Sequence, residues 1–493
     1  MTKLCITCCL LAIGFVCGAQ NCRCTISEVE NNTVNPCNLI IGSVDTVTSK
    51  AELRTAIIET NNVGGNRTIL IADGTYQIAS TAWFPFITAS NVVFRSLSGN
   101  RDAVILTGEG MRDVAPLVES GFYIVGNNIT IADLTIKELG NHGIAGDGDS
   151  LFVHNVKIQN TFEQMIKGVS AKGGADDARI QCSLFEYPSG VGPQYYIGGL
   201  DIHRGNNWVV NDNIFKNIAS PSGSLAEHAI HFWDSSANNT IERNMIINCD
   251  RGIGFGLGNS PNDGGIIRNN MIYNDGSSMF DDVGISLETS THTKVYNNTV
   301  FIEYPNAIEY RFKATAAVDI SNNLTNKQIK SRDAGSAILT TNYTSAQSGW
   351  FVNASDGNLR LNTKQTEVVD KGTQLSDVSV DIDKTARPQG KLFDIGAHEY
   401  EQTNGLTHVE QSTSQITVFP NPAKTTFIIQ SATGSIGNIT VHNLMNQTIA
   451  SFEGESSSSS IVVDVRTWQP GVYICHVAMG NRNKQIMKIV VSK

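Results

Sequence analysis

The sequence Gly-Leu-Asp-Ile-His at residues 199–203 is matched in pattern by Ala-Ile-His-Phe-Trp at residues 229–233. Each copy has a small residue, a branched aliphatic residue, a variable position and a further apolar residue. Seven related copies occur between residues 142 and 311, with their aliphatic residues at Ile144, Ile166, Leu200, Ile230, Ile253, Ile285 and Ile308. The spacings of 22, 34, 30, 23, 32 and 23 residues indicate one short strand in each turn of a repeating structure.

A second repeat runs out of phase with the first and consists of an apolar residue followed three positions later by asparagine. Its members are Val210/Asn213, Ile241/Asn244, Ile267/Asn270, Val295/Asn298 and Ile320/Asn323. Asn155 is interpreted as an earlier member, with Cys182 in the slot between. Asparagine tolerates the left-handed backbone conformation, and its amide can bond along a stack of identical amides. Two strands per period, separated by such turns, predict an all-β chain that folds as a right-handed parallel β-helix.

Composition and segment boundaries favour a secreted solenoid. The 493 residues include 44 glycines and only 17% charged residues, as expected of turn-rich β architecture. Residues 1–19 predict a secretory signal peptide, because an apolar stretch is followed by Cys17-Gly18-Ala19. No other segment is apolar enough to predict a membrane span. The further boundaries that we expect are a cysteine-containing segment at 20–49, the β-helix at 50–400, a linker at 401–414 and a second domain at 415–493.

The cysteines indicate an oxidising compartment without fixing their pairing. Cys22, Cys24 and Cys37 cluster near the predicted mature N-terminus, where a disulfide is permitted and its partners stay open. Cys182 and Cys249 fall at repeat positions and are interpreted as buried thiols. No cysteine pattern typical of a metal site is present in the sequence.

Both ends of the predicted solenoid resemble secreted β-helix proteins of the pectate-lyase-like superfamily. A short capping helix is predicted around residues 50–53, and the strand that follows ends in Asp73-Gly74-Thr75-Tyr76, as in the opening of those proteins. Arg387-Pro388 and the segment 393–400 resemble their closing segment. The resemblance implies a capped solenoid, which is what protects its terminal coils from edge-to-edge association.

Residues 415–493 resemble the C-terminal sorting domain of the type IX secretion system. The matching motifs are the turn Pro420-Asn421-Pro422, the turn Pro470-Gly471-Val472-Tyr473 and a basic final strand from Lys488 to Lys493. The resemblance implies a small β-sandwich, the type IX machinery as partner, and a final location outside the cell or on its surface. The alternative is a β-sandwich with no role in export.

Positions that alternate with the buried aliphatic residues are predicted to face solvent and to line a trough. One file of this face contains Lys167, Asp201, His231, Gly254, Ser286 and Glu309. A second file contains His203, Trp233, Glu288 and Arg311, and Arg204, His228 and Arg251 flank them. A trough that mixes cations, carboxylates, imidazoles and an indole favours a glycan containing uronic acids. Nucleic acid is disfavoured, and we expect a monomer.

The chemistry that such a trough predicts is removal of the C5 proton of a uronate. This reaction needs a base, a group that neutralises the uronate carboxylate, and a proton donor for the leaving oxygen. The candidate catalytic residues are Lys167, Asp201, His203, His231 and Arg251. Lys167, His203 or His231 is the candidate base, and Arg251 or Arg311 the candidate neutralising group. The candidate substrate-binding residues are Arg204, His228, Trp233, Glu288, Glu309 and Arg311. Calcium, held by Asp201, Glu288 or Glu309, is the one cofactor considered.

The segment 199–204 resembles the Asp-Pro-His-Asp motif of β-helical mannuronan C5-epimerases. Asp201 and His203 match that motif, whereas Ile202 replaces its proline and Arg204 its second aspartate. The resemblance implies that a proton is removed from C5 and returned from the other face, whereas a lyase would eliminate the leaving group. Both outcomes stay open. The remaining alternatives are hydrolysis by a carboxylate pair such as Asp201 and Glu309, and a noncatalytic surface protein that binds glycans or adheres to other surfaces.

Overall fold

Three long parallel sheets share the chain between Ser43 and Thr340, and each coil adds one strand to each sheet in turn. In the computed structural model, the described residues are 22–78, 86–111, 120–168, 175–401, 416–431, 436–443, 447–452, 459–479 and 484–492. The predicted signal peptide and residues 402–414 of the predicted linker lie outside them. The prediction of a parallel β-helix is confirmed.

The strands of each sheet follow one another at intervals of one coil. Sheet 1 contains Ser43–Val47, Gly65–Ile71, Ser90–Ser96, Ile129–Ala132, Phe152–His154, Arg179–Gln181, Val209–Asn211, Thr240–Glu242, Ile266–Arg268, Lys294–Tyr296, Val318–Ser321 and Ala337–Thr340. Sheet 2 contains Gly74–Gln77, Val104–Thr107, Thr135–Leu139, Lys157–Thr161, Leu184–Glu186, Ile214–Lys216, Met245–Ile247, Met271–Tyr273, Thr299–Phe301 and Leu324–Thr325. Sheet 3 contains Ser120–Ile124, His142–Gly146, Ile166–Gly168, Leu200–His203, His228–Trp233, Arg251–Phe255, Ile285–Glu288, Asn306–Arg311 and Gln328–Arg332. A short fourth sheet contains Ser236–Ala237, Asn262–Asp263 and Ser290–Thr291.

The repeated aliphatic residues form a single column in sheet 3. Each pairs directly with its counterpart in the next coil, from Ile144 through to Ile308. All seven are buried in the continuous core that fills the solenoid. Because the side-chain period of a strand is two, this register also decides which side chains of sheet 3 point away from the core.

The repeated asparagines form a ladder at the corner between sheets 1 and 2. From Asn213 to Asn323, each side-chain amide donates to the side-chain oxygen of the next asparagine at 3.0 Å. Asn342 extends the ladder at 2.9 Å. The assignment of Asn155 and Cys182 to this column is wrong, because both lie one residue earlier in the turn, in the left-handed conformation with φ of 52° and 58°. Ser183 takes the ladder position next to Asn213.

Helices and turns precede and follow the solenoid strands in the chain. Helix α1 spans Ile26–Glu30, and helix α2 spans Lys50–Val63. The side chain of Ser49 caps α2, whose apolar residues Leu53, Ala56 and Ile57 join the solenoid core. After the last strand of sheet 1, an antiparallel hairpin of Phe351–Asn353 and Asn358–Leu361 accompanies 3-10 turns at Ser348–Trp350 and Ala354–Asp356. Among the described residues, no helix combines the length and apolar character that crossing a membrane requires.

The end segments fold back over the outer faces of sheets 1 and 2. Leu39, from the N-terminal segment, packs in a cluster with Phe152 of sheet 1. Phe351 and Leu361, from the C-terminal end of the solenoid unit, pack in a cluster with Met271 of sheet 2. In the described part of the chain, these outer apolar clusters include no residue of sheet 3. The outer face of sheet 3 is therefore the one that these segments leave uncovered.

Two disulfides involve the N-terminal segment, one within it and one that attaches it to the solenoid. Cys22 pairs with Cys37, and Cys24 pairs with Cys182. The interpretation of Cys182 as a free thiol is wrong, because the segment around α1 packs against the corner of the solenoid and brings Cys24 to it. Cys249 is a buried free thiol, as predicted, and Cys475 is another.

A thiol count tests the number of disulfides and free thiols. Burial raises the pKa of Cys249 to about 12 and that of Cys475 to about 12, and a buried protonated thiol reacts slowly. Of ten cysteines in the sequence, six lie beyond residue 19. In protein that lacks residues 1–19, we expect no reaction with a thiol reagent in the native state. Unfolding should expose two thiols, and reduction six. Four thiols on unfolding without reductant would contradict one of the two disulfides.

The unit Thr403–Lys493 is a second compact body with its own core. One antiparallel sheet contains Ile416–Phe419, Thr426–Ser431 and Ser460–Asp464. The other contains Thr448–Phe452, Ile436–Asn443, Gly471–Met479 and Lys484–Val491. Phe427 of the first sheet and Ile439 of the second are fully buried in one shared cluster, as in a small β-sandwich.

Candidate functional site

Asp201 lies at the centre of a polar cluster on the outer side of sheet 3. The Lys167 ammonium donates to Asp201 Oδ2, and the Trp233 indole N–H donates to Asp201 Oδ1 at 2.7 Å. His203 Nε2 lies 3.1 Å from Lys167 Nζ and 3.6 Å from Asp201 Oδ2. We call Lys167, Asp201, His203 and Trp233 the outer-face cluster. Three consecutive strands bring its members together, because these strands pair in direct register.

The carboxylate of Asp201 is held as an anion. Its residue is only 3% exposed, and burial by itself would raise the pKa. The contacts with His203, Lys167 and His231 outweigh burial and hold the pKa of Asp201 well below its ordinary value. Asp201 is therefore suited to position the groups around it rather than to exchange a proton.

The prediction that the whole file through Asp201 faces solvent is wrong. Asp201, His231, Gly254, Ser286 and Glu309 are all buried. Neighbouring coils are only about 4.8 Å apart, so long side chains lie across the shorter ones beside them. A Cβ atom at Gly254 would lie 2.7 Å from Nε2 of His228, so the His228 ring fills the space beside this glycine. Lys167 and the second file keep partial exposure.

His228 and His231 lie next to each other beneath this surface. Their ring centroids are 4.4 Å apart. His228 Nε2 lies 2.8 Å from Ser286 Oγ, and His231 Nε2 lies 3.2 Å from the carbonyl oxygen of Gly256. Burial lowers the pKa of His228 well below its ordinary value, and it lowers that of His231. Because His231 is fully buried, a glycan cannot reach it, and its candidate role as the base is not supported.

The two flanking arginines are paired with carboxylates. Arg251 lies on the strand beside His228, and its Nε is 3.4 Å from Asp282 Oδ2. Arg204 follows the end of a sheet 3 strand, with its Nε 3.0 Å from Asp234 Oδ2 and half of its side chain exposed. Of the two, Arg204 adjoins His203 in the chain and offers the more accessible cation.

Glu288, Glu309 and Arg311 form a separate group further along the solenoid. Arg311 pairs with Glu288 at 3.1 Å and with Asp333 at 3.0 Å, while Glu309 pairs with Arg332 at 2.8 Å. Glu309 and Arg311 therefore have different ion-pair partners.

Four coil steps separate Asp201 from Glu309, or about 19 Å at the spacing of parallel strands. Hydrolytic carboxylate pairs lie within about 10 Å of each other. Hydrolysis by Asp201 and Glu309 is therefore excluded.

A substitution at Glu309 tests whether this second group is structural. Glu309→Gln is expected to lower the free energy of unfolding by about 1–2 kcal/mol, because a buried charge-assisted bond to Arg332 is weakened. It should leave any activity of the outer-face cluster unchanged. The matched control is Glu303→Gln, which removes an exposed pair with Lys327 and should cost less than about 1 kcal/mol. Chemical denaturation measures both, and loss of activity in folded Glu309→Gln would contradict the separation.

The carboxylates of sheet 3 do not fit a calcium ion. Asp201 is engaged by Lys167 and Trp233, and Glu309 by Arg332 and Asn306. Glu288 accepts from the backbone N–H of Gly258 and from Arg311. Calcium takes about six to eight oxygen ligands, and on the described part of this face the carboxylates are spread over several coils. No step is assigned to calcium.

Glu227 is a candidate site residue that the sequence did not predict. Its Oε2 lies 3.7 Å from His231 Nδ1. Strict alternation along a strand would put His228 and His231 on opposite sides. Ala229 and Ile230 are instead both buried in the core, so the residues before and after them return to the outer face. The small residue before each repeated aliphatic residue was the available sign of this irregularity.

Comparison with known proteins identifies the C-terminal unit. Residues 417–492 match the family described as the secretion system C-terminal sorting domain. The fold and this match define a parallel β-helix protein that is secreted or attached at the cell surface. The match does not extend to the solenoid, and no curated protein sequence matches the chain.

Among solved structures, a mutant tailspike protein of E. coli bacteriophage HK620 in complex with a pentasaccharide aligns with a TM-score of 0.38 and 10% identity. That alignment covers 96% of this chain and 93% of the tailspike. The tailspike protein gp49 of Acinetobacter baumannii bacteriophage Fri1, a capsular polysaccharide depolymerase, aligns with a TM-score of 0.29 and 11% identity over 93% of this chain and 79% of its own. Scores this low establish no common site. The pectate-lyase-like and epimerase resemblances stay predictions.

Proposed function

We propose that this secreted protein acts on a glycan containing uronic acids, as a lyase or C5-epimerase that removes the C5 proton. The observation that carries the proposal is the contact between Lys167 and His203 beside the buried anion of Asp201. A cation and an imidazole within 3.1 Å of each other can meet one sugar ring. They lie on the face of the solenoid that the end segments leave uncovered.

The geometry favours a division of roles within the outer-face cluster. His203 keeps 25% of its side chain exposed, so its imidazole is the base that a sugar can reach. The Lys167 ammonium is the group that would meet the uronate carboxylate. It donates one hydrogen bond to the Asp201 carboxylate, and its other N–H groups can donate to the uronate. Asp201 positions Lys167 and His203 from below.

Trp233 and Arg204 extend the proposed site along the glycan. The Trp233 ring lies 4.2 Å from the His203 ring, and its N–H is anchored on Asp201. A partly exposed indole held in this way offers apolar surface to a sugar ring. Arg204 supplies an exposed cation for a neighbouring uronate. Arg311 lies five coils from Lys167, so it is not the group that neutralises the reacting uronate.

The test is incubation of the full chain with alginate, pectin and glycosaminoglycans, with a neutral glucan as control. Ultraviolet absorbance reports the unsaturated uronide of a lyase, and NMR reports the change in uronate isomer ratio made by an epimerase. Either signal, confined to the uronate polymers, supports the proposal. If both are absent, the enzyme reading fails for those substrates. Retardation in gels containing the same glycans would then support the noncatalytic binding alternative.

A further inference from the structure

We propose that Glu227, His228 and His231 bind a divalent transition metal ion, with zinc as the natural occupant. One potential ligand atom from each residue lies within 4.8 Å of the other two. Ligands at about 2.0–2.2 Å from a tetrahedral zinc ion are separated by about 3.3–3.6 Å. Side-chain movements of about 1 Å therefore suffice to close the three groups around one ion.

Buried polar atoms without hydrogen-bond partners in this cluster support the proposal of a bound metal ion. Glu227 Oε2, His228 Nδ1 and His231 Nδ1 are buried, and none has a hydrogen-bond partner. The residues His228 and His231 are 4% and 0% exposed. Leaving buried polar atoms unpaired costs about 1–3 kcal/mol each. A metal ion bound by these atoms would remove that cost, and Glu227 Oε2 and His231 Nδ1 already lie 3.7 Å apart.

The other nitrogen of each ring has the partner that a metal-binding histidine requires. His231 Nε2 faces the carbonyl oxygen of Gly256, which only accepts, so this nitrogen carries the proton and Nδ1 keeps its lone pair. His228 Nε2 faces the hydroxyl of Ser286, to which it can donate in the same way. Such outer partners fix the tautomer and the ring orientation of metal ligands.

The backbone next to the site is shaped for the His228 ring. Gly254 belongs to the neighbouring coil, opposite His231. A Cβ atom at Gly254 would lie within 2.8 Å of three atoms of the imidazole. The His228 ring therefore packs directly against the backbone of Gly254. A side chain on residue 254 would clash with the ring in this position.

The donor set selects the class of metal. Two imidazole nitrogens and one carboxylate are typical of zinc and other first-row transition metals, whereas calcium and magnesium prefer oxygen ligands. The carboxylates of Glu227 and Asp201 lie within 4 Å of His231 Nδ1 and offset the charge of a cation. Arg251 is the opposing positive charge, and Asp282 pairs with it. Glu227 keeps a quarter of its side chain exposed, which leaves a route from solvent to the site.

The experiment measures metal binding by the full chain after chelator treatment and dialysis. Zinc is titrated by calorimetry, and cobalt(II) is titrated by its visible absorption, which reports imidazole and carboxylate coordination directly. We expect one equivalent of each metal to bind. Glu227→Gln and His228→Gln should each weaken binding by at least about 10–100-fold, the range for loss of an outer-shell partner alone. Gly254→Ala should also weaken it, although it removes no ligand.

The matched control is His292→Gln, which removes a histidine that is exposed and pairs with Asp263. It should leave the affinity and stoichiometry unchanged. Glu227→Gln alters a partly exposed side chain, so it keeps the test valid where His228→Gln does not fold by circular dichroism. No bound metal in the wild type, or full affinity in folded Glu227→Gln, overturns the proposal. Loss of binding in His292→Gln alone also overturns it. The readout is independent of glycan turnover, so this proposal and the proposed function fail separately.

Discussion

Lys167→Met is expected to lower the turnover of a uronate glycan by about 10²–10⁴-fold, the range for loss of a positioned acid, base or charge. Methionine keeps most of the length of the lysine stem and removes the ammonium. Without it, Asp201 Oδ2 loses its ammonium partner, and His203 loses its neighbour at 3.1 Å. Initial rates on the most active polymer measure the effect, with circular dichroism as the check on folding.

The matched control is Lys157→Met. Lys157 is also a partly buried strand lysine in an ion pair, with Asp102, but it belongs to sheet 2. Its replacement should leave the rate within about twofold, because surface pairs contribute little. Lys167→Arg retains the charge and should recover part of the activity if the ammonium neutralises the uronate. Full activity in folded Lys167→Met would remove the outer-face cluster from the reaction.

Asn270→Ala is expected to lower the free energy of unfolding by about 3–6 kcal/mol, since several buried groups lose partners worth about 1–3 kcal/mol each. The Asn270 side-chain oxygen accepts from the backbone and side chain of Asn244, both at 3.0 Å. Its amide donates to the Ile241 carbonyl at 2.9 Å and to Asn298 at 3.0 Å. Denaturant titration followed by circular dichroism measures the loss.

Asn342→Ala provides the comparison, because Asn342 is the last member of the ladder and is only half-buried. Water can replace part of its bonding, so the cost should be clearly smaller than for Asn270. Asn270→Asp keeps the size of the side chain but removes the donors, and it should be at least as damaging as alanine. A mild effect of aspartate would show that packing, rather than hydrogen bonding, is what the ladder contributes.

The repeat was sufficient to predict the core column and most of the asparagine ladder. Both depend on identical residues recurring at one place in every coil, so adjacent copies must meet. The position of Asn155 was misjudged because a single-residue offset within a turn does not alter the spacing between coils. The pairing of Cys24 with Cys182 joins residues 158 apart in sequence, and no local pattern predicts where the N-terminal segment packs.

The sequence predicted which residues converge at the site, but it did not predict how buried each of them is. Lys167, Asp201, His203, His231 and Trp233 do converge, because register brings them onto neighbouring strands. Their exposure depends on which long side chains cover short ones. That depends on the side chains of several neighbouring coils at once. The separation of Glu309 from Asp201 was already implied by counting coils. Arg251 adjoins the histidines rather than the outer-face cluster.

The bond between Cys24 and Cys182 also determines which coil of the solenoid the N-terminal segment packs against. Cys182 occupies the left-handed turn position of its coil, and the same position holds Asn155 one coil earlier and Asp212 one coil later. A slip of the N-terminal segment by a single coil would therefore bring Cys24 opposite a residue with no sulfur. Repetition makes such slips cheap in energy, since neighbouring coils offer similar surfaces. The disulfide can form only when Cys24 lies at the coil that contains Cys182, and once formed it holds the N-terminal segment at that coil.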